Sequence, residues 1–397
     1  MHIVLVSGPD PGHALPVLGL AAALRRRGHD VTVATGRDHR PACERADVRF
    51  LELPLLAPTP HDEDVGFRLW GRAAQMTPPF VERLSQLTPI AGVVTDTLTR
   101  TGAFAAELLG VPWIELSPHH LMEPSDHLPP IGLGRTPDPP WWRRYDDARL
   151  RRRQRESIAA GEEEARAARR ELGLPAASEP PLARLLATVP ALEYPRPDWP
   201  DDAHIVGSLA ADPPWSPLRL PAGRDPLVVV TDTTASGSYP SIAALTVDAL
   251  GDLPLRVVAT TDEQVSSRPG VVVGRGPHGP LLDEADLAVG PGGHGFVTKA
   301  LVRGVPLMLV PLAGDQRETA ARVRWAGVGR SLSRGWLQVA AAARRTIRWE
   351  VLRVLGDPGY AEAARRAAQE SSGLGPDHAA GLVVSLLAEE RSPSAGG

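Results

Sequence analysis

Short apolar runs alternate along the chain with stretches whose apolar positions recur at helical spacing, and glycine, proline or small polar residues punctuate each change. Residues 3–6 are apolar without alternation, which predicts a parallel strand buried on both faces. Residues 7–13 carry two glycines and two prolines and predict a loop. Residues 16–27 place Val17, Leu20, Ala21 and Leu24 on one helical face, with Arg25, Arg26 and Arg27 at the negative end and Gly28 as the stop. Residues 31–34 predict the next strand. The alternation returns as strand 91–95, a helix ending at Leu109 and strand 113–116. In the second half it predicts strands 227–230, 256–259, 271–273, 287–289 and 307–310, with helices over 241–250 and 296–303. Strand, helix, strand in short order means right-handed crossovers in parallel sheets. Helices 317–325, 357–370 and 378–389 follow.

The stretch between the halves lacks this order. Residues 117–147 are long and proline-rich, and residues 146–172, rich in arginine and glutamate, predict a solvated helix. Residues 182–188 and 191–194 are expected to return to the first sheet, and residues 195–224 carry many prolines and little periodicity. A chain of 397 residues is too long for one ordinary core, so the expectation is a first domain over 1–207, a linker over 208–224 and a second domain over 225–375.

Composition narrows the partners. A formal net charge of −4 gives no reason to expect nucleic-acid binding. Cys43 is the sole cysteine, which excludes an intramolecular disulfide. No apolar run reaches the ~20 residues that span a bilayer. The run 3–6 is too short for a signal core, so a soluble cytoplasmic protein without a membrane partner is expected.

Several positions carry chemistry. Residues 291–295 form a turn with three glycines between a strand and a helix, where open amides and the helix dipole suit a phosphate; the spacing is not GxGxxG, and a tight turn alone would use the same glycines. His13 sits where the first loop meets its helix, as a cap or filling the turn. Asp96 follows a strand, where it can cap the next helix. Residues 231–238 are hydroxyl-rich and precede a helix, and Asp315 with Glu318 has capping-box spacing. Phe67, Trp70, Phe80, Trp141 and Trp142 line a flat site or simply pack. His119, His120 and His127 match no standard metal-ligand spacing, so no metal is expected.

Pro277-His278-Gly279-Pro280-Leu281-Leu282, Ala285-Asp286-Leu287, Gly292-Gly293-His294-Gly295, Ala300-Leu301, Gly304-Val305-Pro306, Val310-Pro311, Asp315-Gln316 and Ala321-Arg322-Val323 occur in one order with short gaps. This resembles the donor-binding signature of the family 1 glycosyltransferases, the UDP-glycosyltransferase superfamily, in its bacterial natural-product branch. Gly12-His13, Pro16, Leu20-Ala21, Leu24 and Arg27-Gly28-His29 resemble the first strand–helix unit of the same family. The resemblance implies a GT-B α/β fold, two Rossmann-like parallel-sheet domains facing across a cleft. Residues 376–397 would then hold a helix that packs back on the first domain through Leu382, Val383, Leu386 and Leu387.

The resemblance also implies an inverting transfer of a hexose or deoxyhexose from a UDP- or dTDP-sugar to a hydroxyl of a small secondary-metabolite acceptor. His13 would be the general base, held by Asp96. Thr233, Thr234, Arg275, His278, Gly292, Gly293, His294, Gly295, Lys299, Asp315 and Gln316 would meet the donor, and Phe67, Trp70, His119 and Trp141 the acceptor. The nucleotide sugar is a co-substrate, no cofactor is implied, and the protein would be a monomer or homodimer. Four positions depart from the family pattern. Pro291 replaces a histidine, Phe296 a threonine or serine, Lys299 an acidic residue and Arg275 a tryptophan. These departures leave a second reading, a catalytically degenerate GT-B protein acting as a partner or binding protein.

Overall fold

β1 (His2–Val6) is buried at every position, as its unbroken apolar run requires. The structure is a computed structural model that describes residues 1–53, 67–87, 89–137, 140–233, 240–265, 268–312, 314–332 and 340–391. After β1 come α1 (Pro11–Arg26), β2 (Asp30–Thr35), α2 (Arg40–Arg45), β3 (Arg49–Glu52), α3 (Arg72–Ser85), β4 (Gly92–Asp96), α4 (Thr101–Leu109) and β5 (Trp113–Ser117). A 31-residue helix, α5 (Trp141–Glu171), leads to β6 (Arg184–Leu186) and β7 (Ala203–Ile205). These strands pair in the order β3-β2-β1-β4-β5-β6-β7, all parallel. Ile3 and Leu5 feed one core and Val4 and Val6 the other, so each face of the sheet carries its own layer of helices.

The second domain repeats the plan. It runs β8 (Leu227–Thr231), α6 (Ile242–Leu250), β9 (Arg256–Thr260), β10 (Val271–Gly274), α7 (His278–Leu282), β11 (Leu287–Gly290), α8 (His294–Leu301), β12 (Leu307–Leu309), α9 (Gln316–Trp325) and β13 (Gly329–Ser331). Strand order is β10-β9-β8-β11-β12-β13, again parallel. Leu227 and Val229 face one core and Val228 and Val230 the other. α10 (Ala340–Gly356), α11 (Pro358–Glu370) and α12 (Pro376–Arg391) close the chain.

Some boundaries differ from those predicted. α1 begins at Pro11, so His13 lies inside its first turn and not in a loop. Proline at the first helical position is pre-set for the helix. Pro16 removes only the bond to the carbonyl of Gly12, an exposed residue. Residues 191–194 form no strand; Pro190–Leu192 is a single 3₁₀ turn, while Ala203–Ile205, inside the proline-rich stretch, joins the sheet. α10 and β13 had no predicted counterpart. α10 nonetheless buries Ile347, Val351 and Val354 in the second domain's core.

α12 crosses back onto the first domain. Ala379, Ala380, Val383 and Leu387 are buried in the core beside α1, with Leu382 and Leu386 partly covered. Arg27 donates to the Asp377 carbonyl at 2.9 Å, which pins the start of α12 to the end of α1. The linker is equally close. A Cβ on Gly19 would lie 1.9 Å from the Leu209 carbonyl oxygen, and the Ala211 amide donates to the Leu15 carbonyl at 3.0 Å. Alanine is the better helix former by about 1 kcal/mol, yet no rotamer relieves a clash with backbone. Gly19→Ala is therefore expected to lower the melting temperature of the chain. A melting temperature equal to or above wild type would contradict this packing of α1 on the linker.

Candidate active site

Strand order reverses between β1 and β4 in the first sheet and between β8 and β11 in the second. Loops leaving neighbouring strands at such a point diverge and open a crevice at the strand C-termini. His13, in the first turn after β1, and Asp96, the last residue of β4, meet in the first crevice. His13 Nδ1 donates to Asp96 Oδ1 at 2.6 Å. Asp96 is 1% exposed, and its other oxygen accepts from the Leu98 amide at 3.2 Å and the Thr99 hydroxyl at 3.0 Å. It caps no helix, because α4 begins after Arg100. The carboxylate fixes the tautomer and leaves Nε2 as the nitrogen that takes a proton. Burial alone would lower the His13 pKa; the hydrogen bond and charge of Asp96, helped by Asp10 and Asp315, override it and hold the pKa above the ordinary 6.5.

Other imidazoles connect this pair to the second domain. His119 and His120 follow β5, and the His119 ring lies edge-on to His13 with centroids 5.4 Å apart. The His294 ring is 6.0 Å from that of His119 and 5.8 Å from that of His120. His119 Nδ1 stands 3.1 Å from Asp315 Oδ2, an ion-pair distance without the alignment of a hydrogen bond. Both ring nitrogens of His120 and of His294 are buried without a hydrogen-bond partner among the described residues. Burial, with His119 next, pushes His294 down to about 3, and burial with Arg322 pushes His120 well below the ordinary range. Both rings are therefore neutral at physiological pH. Burial works against the Asp315 charge, but His119 and His294 hold its pKa below the usual carboxylate value. Among the described residues no group of three or more such side chains converges as metal ligands would.

In the second domain, Gly292 takes a φ of +96°, in the left-handed region that favours glycine, where the chain turns out of β11. Gly293 caps α8 and offers no side-chain bond, so the open amides of the first turn are left for another acceptor. Gly295 faces Ala210 of the linker, where a Cβ would come within 3.1 Å. His278 shares a 2.9 Å hydrogen bond with the Thr260 hydroxyl and stands edge-on to Phe296 at 5.0 Å; burial and then Lys299 push its pKa down to about 4. Lys299 turns to the linker, donating to the Ala211 carbonyl at 3.1 Å and pairing with Asp212. Arg275 pairs with Asp262 and stacks 5.6 Å over Trp215.

Gln316 accepts the Leu312 amide at 2.8 Å and donates to the Thr233 hydroxyl at 3.1 Å, while Thr234 lies outside the described residues. The capping box predicted at Asp315 and Glu318 does not form. Asp315 turns its side chain to His119, and Glu318 accepts two loop amides instead, because partners across the cleft outcompete the local cap. Ser241 does cap α6, accepting from the Ala244 amide at 2.9 Å.

Comparison with known proteins fits this arrangement. The erythromycin biosynthesis protein CIII-like C-terminal domain matches residues 244–384. Over 410 aligned residues the chain is 30% identical to 4'-demethylrebeccamycin synthase of Lentzea aerocolonigenes, covering 93% of this chain and 95% of that protein. The chain belongs to the family 1 glycosyltransferases. Its fold is GT-B. The glycosyltransferase of kitacinnamycin superposes with a TM-score of 0.74 at 22% identity, covering 97% of this chain and 98% of the other. A Streptomyces sp. SF2575 glycosyltransferase, complexed with thymidine diphosphate, gives 0.64 at 22% identity, with 97% and 99% covered.

The aromatic residues of this glycosyltransferase divide. Trp70 lies 6.2 Å from Phe104 and under the Arg100 guanidinium, on a cavity of about 420 Å³ that Trp113 and Arg169 also line, between α4 and α5. None of the histidine cluster lines that cavity. Phe80 is core, with no exposure. The side chains of Phe67 and Trp141 lie outside the described residues. Sequence reasoning named Arg322 only within the family motif and His120 only among histidines without metal-ligand spacing; it missed their contacts, since the partners are distant in sequence. The Arg322 guanidinium donates to the Leu192 carbonyl at 2.7 Å and lies 4.1 Å over the Tyr194 ring. No helix among the described residues is long and apolar enough to cross a membrane.

Proposed function

We propose that this natural-product glycosyltransferase is inverting, with His13 as general base, Asp96 as its orienting carboxylate and a UDP- or dTDP-sugar as donor. The His13–Asp96 contact of 2.6 Å at the first crevice, linked through His119 to the N-terminus of α8, carries this reading. His13 Nε2 takes the proton of an acceptor hydroxyl. The freed oxygen bonds to the anomeric carbon from one face as the bond to the diphosphate oxygen breaks on the other, so a single displacement inverts the configuration. Asp96 stabilises the imidazolium that forms. The departing diphosphate meets the open amides at Gly293, His294 and Gly295, where the helix dipole favours its charge. Neutral His294 adds a ring N–H donor that a charged cluster would not keep buried.

Asp315 and Gln316 are assigned to the donor's sugar hydroxyls and Thr233 to its phosphate side. Binding would exchange the present partners of these side chains, His119 and the Leu312 amide, for the donor. The thymidine diphosphate found with a structural relative supports a nucleoside diphosphate in the second domain. The relative named as a 4'-demethylrebeccamycin synthase supports a small secondary metabolite as acceptor, assigned here to the first.

The test is transfer itself. The protein, incubated with UDP- and dTDP-hexoses and a panel of planar hydroxylated acceptors, is expected to give product of hexose mass increment by mass spectrometry. NMR of that product is expected to show an anomeric configuration opposite to the donor's. Retained configuration, or donor consumed only by hydrolysis across the panel, would overturn the proposal.

A further inference from the structure

α9 does more than present Asp315 at its start. Glu318, one turn on, is 2% exposed, and a single oxygen of its carboxylate, Oε2, accepts the amides of Gly132 and Gly134, each at 3.0 Å. Those amides belong to the segment between β5 and α5, in the other domain. Both glycines have left-handed φ, +87° and +63°. The turn they make sits directly on the helix, since a Cβ on Gly134 would lie 2.8 Å from the Arg317 carbonyl oxygen.

A carboxylate this deep needs compensation. It has the two amides, and Arg322 Nε at 4.0 Å from the other oxygen; burial still holds its pKa above the usual range. The same segment is held a second time at its beginning, where His119 faces Asp315. Its end is held through Tyr194, whose hydroxyl donates to the Arg135 carbonyl at 3.2 Å while its ring lies under Arg322. This helix and its N-cap residue therefore hold the segment directly at His119 and at 132–134, and reach its end through Tyr194.

We propose that Glu318 is a positioning residue that locks the turn at 132–134 onto the donor domain and so sets where this segment stands relative to His13. The acceptor's affinity then depends on a residue in the donor domain that touches neither substrate. This consequence rests on the acceptor binding in the first crevice, as argued above; the lock itself does not.

Two variants separate the lock from plain packing. Glu318→Met keeps bulk and helix propensity but removes both oxygens; Glu318→Gln keeps an oxygen that accepts both amides. In the unliganded wild-type protein, hydrogen exchange at Gly132 and Gly134 is expected to be slow for a turn with left-handed backbone. Free-turn exchange rates would overturn the lock without any variant. In Glu318→Met, exchange at both amides is expected to rise about tenfold or more, as losing two hydrogen bonds implies. With 4-methylumbelliferone as probe acceptor, its KM is expected to rise about tenfold while kcat and the Kd for dTDP stay within about threefold. Glu318→Gln is expected to restore both.

Unchanged exchange and KM in Glu318→Met would refute the assignment. So would a loss of dTDP affinity matching the loss of acceptor affinity, since that is a structural defect. If wild type transfers no sugar to the probe, the proposed function is what suffers, and the exchange data still decide the lock.

Discussion

Replacing His13 by alanine is expected to cut the turnover number for sugar transfer by about 10²–10⁴-fold, the range of a lost general base, while Kd for UDP and dTDP stays nearly unchanged. An acceptor hydroxyl is a weak nucleophile until its proton has somewhere to go. His13 is the imidazole held by a buried carboxylate, and it belongs to the first domain, whereas the α8 turn that would hold the diphosphate belongs to the second. The ring is side-on to His119, so its removal also loosens that neighbour, but none of the amides at Gly293 to Gly295 depends on it. Initial rates by liquid chromatography and titration calorimetry read the two effects separately. A turnover close to wild type would move the base elsewhere, with His119, 5.4 Å away, next in line. Equal losses of turnover and nucleotide affinity would show that His13 supports the fold of the cleft and not the chemistry.

Asp96→Asn is expected to slow transfer by about 10⁴-fold, as when an amide in place of the orienting carboxylate leaves the imidazole in the wrong tautomer. It carries a second signature in pH. His13 acts as base only when neutral, and its pKa in the wild type lies above 6.5, with burial opposing and the Asp96 hydrogen bond and charge prevailing. The rate therefore falls as pH drops through that raised value. Asparagine removes the Asp96 charge and leaves burial opposed only by Asp10 and Asp315, so the acid limb of the remaining activity moves to lower pH. The pair's stability runs the other way. A raised histidine pKa stabilises the fold fully below the unfolded value of 6.5, and that increment is lost as pH rises through the folded value. An acid limb that stays in place in Asp96→Asn would mean another group titrates, and a wild-type rate would reduce Asp96 to a structural anchor for the Leu98 and Thr99 turn.

The two parallel sheets were legible because buried strands such as Ile3–Val4–Leu5–Val6 must be unbroken apolar runs when both faces are covered. The meeting of His13 and Asp96 was legible only through the family motif, as 83 residues separate them and neither has a local signal. The start of α1 was misjudged because Pro16 reads as a helix beginning, although a proline in the second turn is tolerated where the orphaned carbonyl reaches solvent. Partners of the atypical donor residues were beyond sequence reasoning. Lys299 is answered by Asp212 and Arg275 by Asp262 and Trp215, two of these three from a linker without periodicity. Glu318 shows the same limit more sharply. Its spacing from Asp315 matched a capping box, and long-range partners took both side chains away from it.

Pro291 and Phe296 alter the turn that would hold the donor, yet the backbone amides at Gly293 to Gly295, with His294, are expected to suffice. Calorimetric titration of the purified protein with dTDP and with UDP tests this most directly. Saturable binding of at least one nucleotide, with micromolar affinity and one site per chain, is expected. No detectable binding of either, by a protein shown to be folded, would contradict it.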